Sequence, residues 1–191
     1  MNLANKITIA RILLIFIFIL LFPIYPDWLV NNNAIIHYVD IYGIYYAAAI
    51  FLLASITDKL DGYVARKYNQ ITNLGKLLDP LADKLLISAA LILMVNAQLI
   101  YTWVAFAIIA REIIITGIRI VASSQKIALQ ADRYGKIKMV FQVVAVAAVL
   151  LNNRPFSYIT EIRIDQILMY IALILTIYSG YNYVKNNYQM L

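Results

Sequence analysis

The chain has 191 residues, 63% hydrophobic and 14% charged, with a mean hydropathy of +0.77. A soluble domain carries roughly 45–50% apolar and 25% charged residues, so this composition excludes a water-exposed globule and points to an integral membrane protein. Cysteine is absent, His37 is the one histidine and the net charge is +6, which excludes disulfides, thiolate chemistry and multi-histidine zinc sites and fits basic loops facing anionic lipid better than a nucleic-acid partner.

A spanning helix needs about 20 mostly apolar residues. Six segments approach that length: 7–22, stopped by Pro23; 39–56; 74–95, charged in its first half; 100–120; 137–151; and 164–184. With no internal repeat and no Gly/Ser linker, the expected fold is all-α: an integral membrane bundle of six transmembrane helices forming a single domain over 1–191. Lys6 and Arg11 precede the first apolar run as in a signal peptide. That run ends in Phe22-Pro23-Ile24-Tyr25-Pro26 without a small-residue cleavage site, so a retained helix is expected.

Six spans put both termini on the side of the 2–3 and 4–5 connections. That side collects Lys6, Arg11, Lys59, Arg66, Lys67, Lys76, Lys84, Arg111, Arg119, Lys126, Arg133, Lys136, Lys138 and Lys185, against Arg154 and Arg163 opposite. The positive-inside rule makes the first side cytoplasmic, and it accounts for Lys126 and Lys138 without a further role. Tyr25, Tyr38, Tyr101, Tyr158 and Tyr183 lie near expected helix ends and read as interfacial anchors.

Four of the ten acidic residues fall within 26 positions: Asp58 and Asp61, spaced i, i+3, and Asp79 and Asp83, spaced i, i+4. Either spacing puts both members of a pair on one helical face. The first pair is expected to end the second helix and the second pair to open the third, across a short cytoplasmic connection. Singly, each aspartate reads as a juxtamembrane charge paired with Lys59, Arg66, Lys76 or Lys84. Together they repel one another unless cations neutralise them, and carboxylates near a bilayer usually mark a function. Two divalent ions would balance four carboxylates, and an all-oxygen donor set selects Mg²⁺ or Mn²⁺, with Ca²⁺ an alternative. Gly62 and Gly75 lie in the same stretch and leave room for a ligand or a neighbouring helix.

Read together these positions form Asp58-x-x-Asp61-Gly62-x-x-Ala65-Arg66, eight residues, Gly75-x-x-x-Asp79-x-x-x-Asp83. This pattern resembles the signature of the CDP-alcohol phosphotransferase family at all eight fixed positions. Further similarity lies in Asn5 to Arg11, Leu77 to Lys84, Ala110-Arg111-Glu112 with Arg119, and Gly135 to Lys138 with Gln142. Within the family, the chain most resembles the bacterial branch that moves a phosphatidyl group from CDP-diacylglycerol to sn-glycerol 3-phosphate. The resemblance implies that Asp58, Asp61 and Asp79 are metal ligands, and that Asp83 is the general base and a possible fourth ligand. It puts Gly62, Ala65, Arg66 and Gly75 around the CDP group, with Asn5, Thr8 and Arg11 near the nucleotide. It further implies a homodimer in the cell membrane, surrounded by membrane lipid, with its active site at the cytoplasmic side.

An anionic acceptor needs cations. Arg111 and Arg119 interrupt an apolar stretch about 80° apart around the helix and are expected to bind its phosphate, with Lys136 close by. Glu112 is expected to orient Arg111 or Lys84, and Arg133 is left open. Other acceptors, such as inositol phosphate, serine or choline, remain alternatives. A divalent-cation transporter using the aspartates is the rival of another class, although such a path needs polar groups at mid-membrane depth.

Overall fold

A computed structural model describes the backbone of residues 3–67, 73–125, 133–158 and 160–187; the side chains of 3–7, 58–67, 73–81, 83, 133 and 155 lie outside that description. The described residues form eight helices and no strand: α1 (Leu3–Leu21), α2 (Asp27–Asn32), α3 (Ala34–Lys67), α4 (Asn73–Asn96), α5 (Thr102–Ser124), α6 (Arg133–Leu150), α7 (Arg154–Ser157) and α8 (Ile164–Asn187). Each of the six apolar segments is therefore helical. α2 and α7 are short additions, α2 following Pro26 and α7 carrying a proline in its first turn, a position where the missing N–H costs nothing.

The second segment is longer than its apolar core suggested. α3 spans 34 residues, about 51 Å at 1.5 Å per residue, well beyond the roughly 30 Å of a hydrocarbon core. It starts early because the Asn33 Oδ1 accepts from the backbone N–H of Ile35 at 2.9 Å and of Ile36 at 3.3 Å, satisfying donors that the first helical turn leaves open. It ends late, at Lys67, so Asp58 and Asp61 lie inside α3 and do not end it.

Two stretches, Ala34–Thr57 and Ile164–Asn187, are long and apolar enough to cross a membrane, and Thr8–Leu21 and Lys84–Asn96 are shorter apolar helices. Large apolar side chains such as Leu13, Phe16, Leu20, Trp103, Phe106, Ile113, Ile120 and Ile174 are exposed along the helices. A water-facing surface does not carry so much exposed hydrocarbon, whereas lipid accommodates it. The protein is a membrane protein.

The chain divides into two compact units, Met1–Leu99 and Ile100–Leu191. In the first, α1 packs on both α3 and α4, α3 also touches α4, and α2 rests on α3. The buried stripe of α1 is Thr8, Arg11, Ile15 and Phe18, continued by Phe22 just past its end; that of α3 is Gly43, Ala47, Phe51 and Ala54. Gly43 is required by this packing, because a Cβ there would run into the backbone carbonyl of Leu21. Phe18 meets Phe51 at 6.1 Å between ring centroids. α1 and α3 therefore run antiparallel.

In the second unit α8 packs against α5 and α6. Its buried face of Ala172, Thr176, Ser179 and Gly180 is small, which lets neighbouring helices approach closely where no water drives them together. The entry to α8 is held by Asn153, whose Nδ2 donates to the Ile162 carbonyl at 2.9 Å and whose Oδ1 accepts from the Asp165 N–H at 3.2 Å. Arg163 donates twice to the fully buried Asp165, and these hydrogen bonds raise the Arg163 pKa above its ordinary value.

Candidate functional site

The aspartates lie on helices whose buried stripes can be followed by register. On α3, Asp58 and Asp61 fall four and seven residues after the buried Ala54, the periods of one helical face. On α4, Asp79 precedes the buried Ala82 by three residues, and Asp83 precedes Leu86 and Ile87 by three and four. All four positions thus continue the stripes along which α1, α3 and α4 pack. Residues 68–72 alone separate the two helices, so the end of α3 and the start of α4 lie at the same end of the unit. Continuing the antiparallel register from Gly43 and Phe51 brings Thr8 and Arg11 of α1 level with the part of α3 around Asp58. Both are 1% exposed.

Four carboxylates at these positions make an all-oxygen donor set, which fits a hard divalent cation. Among the described residues no group of three or more His, Asp or Glu could hold a metal ion; the four aspartate side chains lie outside them. The side chains of Asn5, Gly62, Ala65, Arg66 and Gly75, expected around the nucleotide, also lie outside the described residues, although their backbone is helical. Arg133 opens α6 and its side chain is likewise outside, as is the whole of Lys126.

The second unit holds a polar cluster on α5, α6 and α8. Arg111 Nη2 donates to Ser179 Oγ at 2.8 Å and Nη1 to Glu112 Oε1 at 3.1 Å. The same carboxylate oxygen accepts from Lys138 Nζ. Eight residues further along α5, Arg119 Nε donates to the Tyr183 phenol at 3.3 Å, with the guanidinium 5.0 Å from the centre of that ring. Both arginines therefore address α8, as the 80° between them allows. Gly180 gives the Arg111 arm its room: a Cβ there would sit 3.1 Å from Arg111 Cγ and 3.2 Å from Nε.

Two expectations are corrected here. Lys138 is not a surface charge left by the positive-inside rule; it is 5% exposed and paired with Glu112, because an ammonium buried in α6 needs a counter-ion. Tyr183 is not an interfacial anchor; it is 2% exposed and engaged by Arg119. Glu112 does orient Arg111, and its other cation in this cluster is Lys138. Lys136 is exposed. Sequence spacing does not single out Ser179 and Gly180; the signal for them is a Ser-Gly pair at the end of the apolar run of α8.

Buried donors remain over in this cluster. Arg111 Nε and, one turn past Lys138 on α6, Gln142 Nε2 meet no acceptor among the described residues. Orphaned buried donors are rare and suit a ligand rich in acceptor oxygens, such as a phosphate ester.

A family model described as CDP-alcohol phosphatidyltransferase matches residues 1–178. The chain is similar to the CDP-diacylglycerol–glycerol-3-phosphate 3-phosphatidyltransferase of Bacillus subtilis (strain 168), 43% identical over 192 residues that cover 100% of this chain and 97% of the relative. Relatives of the same name are 36% identical in Rickettsia typhi, over 96% of each chain, and 33% identical in Shigella flexneri serotype 5b, over 96% of this chain and 93% of that one.

Proposed function

This chain belongs to the CDP-alcohol phosphatidyltransferase family, and from that premise we propose that it transfers the phosphatidyl group of CDP-diacylglycerol to sn-glycerol 3-phosphate. The products are phosphatidylglycerol phosphate and CMP. The observation that carries the reading is the helix register that sets Asp58, Asp61, Asp79 and Asp83 on the packed stripes of α3 and α4.

The acceptor hydroxyl attacks the β-phosphorus of CDP-diacylglycerol; a new P–O bond forms and the bond to CMP breaks. Asp83 takes the hydroxyl proton. A carboxylate crowded by others is suited to this task, because like charges raise its proton affinity. Asp58, Asp61 and Asp79, with Asp83, would hold two Mg²⁺ or Mn²⁺ ions, which when bound neutralise the pyrophosphate charge. Gly62, Ala65, Arg66 and Gly75, with Asn5 and Thr8, bind the CDP moiety. Arg111 and Arg119, with Lys136, bind the acceptor phosphate, and phosphoryl transfer depends mostly on such positioning. The same reading takes the protein as a homodimer with six spans, cytoplasmic termini and a cytoplasmic active site.

The test is an assay of the purified protein with CDP-diacylglycerol and a panel of acceptors: sn-glycerol 3-phosphate, inositol phosphate, serine and choline. CMP release with glycerol 3-phosphate, abolished by chelation and restored by Mg²⁺ or Mn²⁺, is expected. Preference for inositol phosphate would move the enzyme to another branch of the family, and full turnover after exhaustive chelation would reject the metal site.

A further inference from the structure

The two arginines of α5 share one supporting element. Within one turn of α8, Ser179 accepts from Arg111 Nη2, Gly180 leaves space for the Arg111 arm, and Tyr183 accepts from Arg119 Nε while its ring lies beside the guanidinium. Ser179 and Tyr183 are spaced i, i+4 on the buried face of α8, so their backbone positions stand about 6 Å apart along one side of the helix. Arg111 and Arg119 are eight residues apart on α5, about 12 Å along that axis, and both reach this one stretch of α8.

We propose that Ser179, Gly180 and Tyr183 act as a bracket that presets Arg111 and Arg119 for a phosphate monoester dianion, making them positioning residues for the acceptor. The inference rests on the reading of Arg111 and Arg119 as the acceptor-phosphate site. Each bracket contact consumes a single N–H. Ser179 takes one Nη2 proton and Glu112 one from Nη1, leaving Arg111 Nε without an acceptor. Tyr183 takes Arg119 by Nε, so that hydrogen bond does not use the paired terminal nitrogens, which suit a bidentate phosphate contact. Long guanidinium arms lose considerable rotamer freedom when they are immobilised. Holding them before the ligand arrives removes that cost from binding, and the benefit falls on acceptor affinity alone.

The experiment measures KM for sn-glycerol 3-phosphate, KM for CDP-diacylglycerol and kcat in Tyr183→Phe, Ser179→Ala, Ser179→Thr, Arg119→Ala and Arg119→Ala/Tyr183→Phe. Tyr183→Phe and Ser179→Ala each lose one hydrogen bond to a cation and are expected to raise the acceptor KM about three- to ten-fold. The lipid KM and kcat should stay within about two-fold. Ser179→Thr keeps the hydroxyl but adds a methyl group to the packed face of α8, and its acceptor KM should lie closer to wild type than that of Ser179→Ala. In the Arg119→Ala background, Tyr183→Phe should add nothing, since the group it positions is gone. Additive effects, an equal rise in both KM values, or an unchanged acceptor KM in both single bracket variants overturns the bracket. An unchanged acceptor KM in Arg119→Ala overturns the acceptor-site reading itself and the bracket with it. Should Tyr183→Phe aggregate on size-exclusion chromatography, Ser179→Ala and its threonine rescue decide the matter.

Discussion

Glu112 is the junction of the α5–α6 cluster, and replacing it by glutamine tests how the buried charges are balanced. One oxygen, Oε1, accepts from both Arg111 Nη1 and Lys138 Nζ, and the side chains of Lys138 and Glu112 are 7% and 14% exposed. Glutamine keeps the shape and one carbonyl acceptor but removes the negative charge, leaving two cations in a nearly dry site. Breaking a buried pair costs about 3–5 kcal/mol, and the retained carbonyl and partial solvent access bring the expected loss to about 2–3 kcal/mol. Lys138→Met removes one cation, leaves the Arg111–Glu112 pair intact and fills the same space with an apolar chain, so it should change stability by less than about 1 kcal/mol. At about 2–4 °C per kcal/mol for a chain of this size, Glu112→Gln should lower the Tm of the purified protein in detergent by about 4–12 °C, and Lys138→Met by less than about 4 °C. The double variant should melt above Glu112→Gln, because removing the second cation relieves the repulsion. Equal shifts in the two single variants, or a double variant melting below Glu112→Gln, would refute the assignment of Glu112 as the shared counter-ion.

Asp58→Asn and Asp79→Asn are each expected to lower CMP release at least about 100-fold by weakening the proposed cation site, with affinity for CDP falling in parallel; retention of tight Mg²⁺-dependent CDP binding would remove them from the ligand set. Asp83→Asn should bind CDP nearly as well as wild type while single-turnover rates drop about 10²–10⁴-fold, the usual contribution of a general base, and a loss of CDP binding matching that of Asp58→Asn would make Asp83 chiefly a ligand. Gly43→Ala forces a methyl group against the Leu21 carbonyl and should destabilise the protein by about 1–3 kcal/mol, seen as a lower Tm in detergent; an unchanged melting curve would contradict the close α1–α3 contact.

Much of this molecule is legible without coordinates because it is local. Runs such as 164–184 are helical because a chain in lipid must satisfy its own backbone, and α8 covers that run at Ile164–Asn187. The aspartate spacings set two faces by helical geometry alone, and the register of α3 and α4 then runs those faces into buried stripes. Helix ends were less legible: α3 gains its first turns from the Asn33 cap and its last from charged residues that an apolar-run criterion discards.

Composition and periodicity determined that the protein is helical and suited to a membrane, and the motif determined its family, because each is carried by the order and spacing of residues along the chain. The partners of the charges depended on packing. Arg111 finds Ser179 68 residues away, Arg119 finds Tyr183 64 residues away, and Lys138 finds Glu112 26 residues away. No spacing rule links such pairs. They meet because the small face of α8 admits α5 and α6 closely, and because a charge buried by that approach stays only where an acceptor meets it.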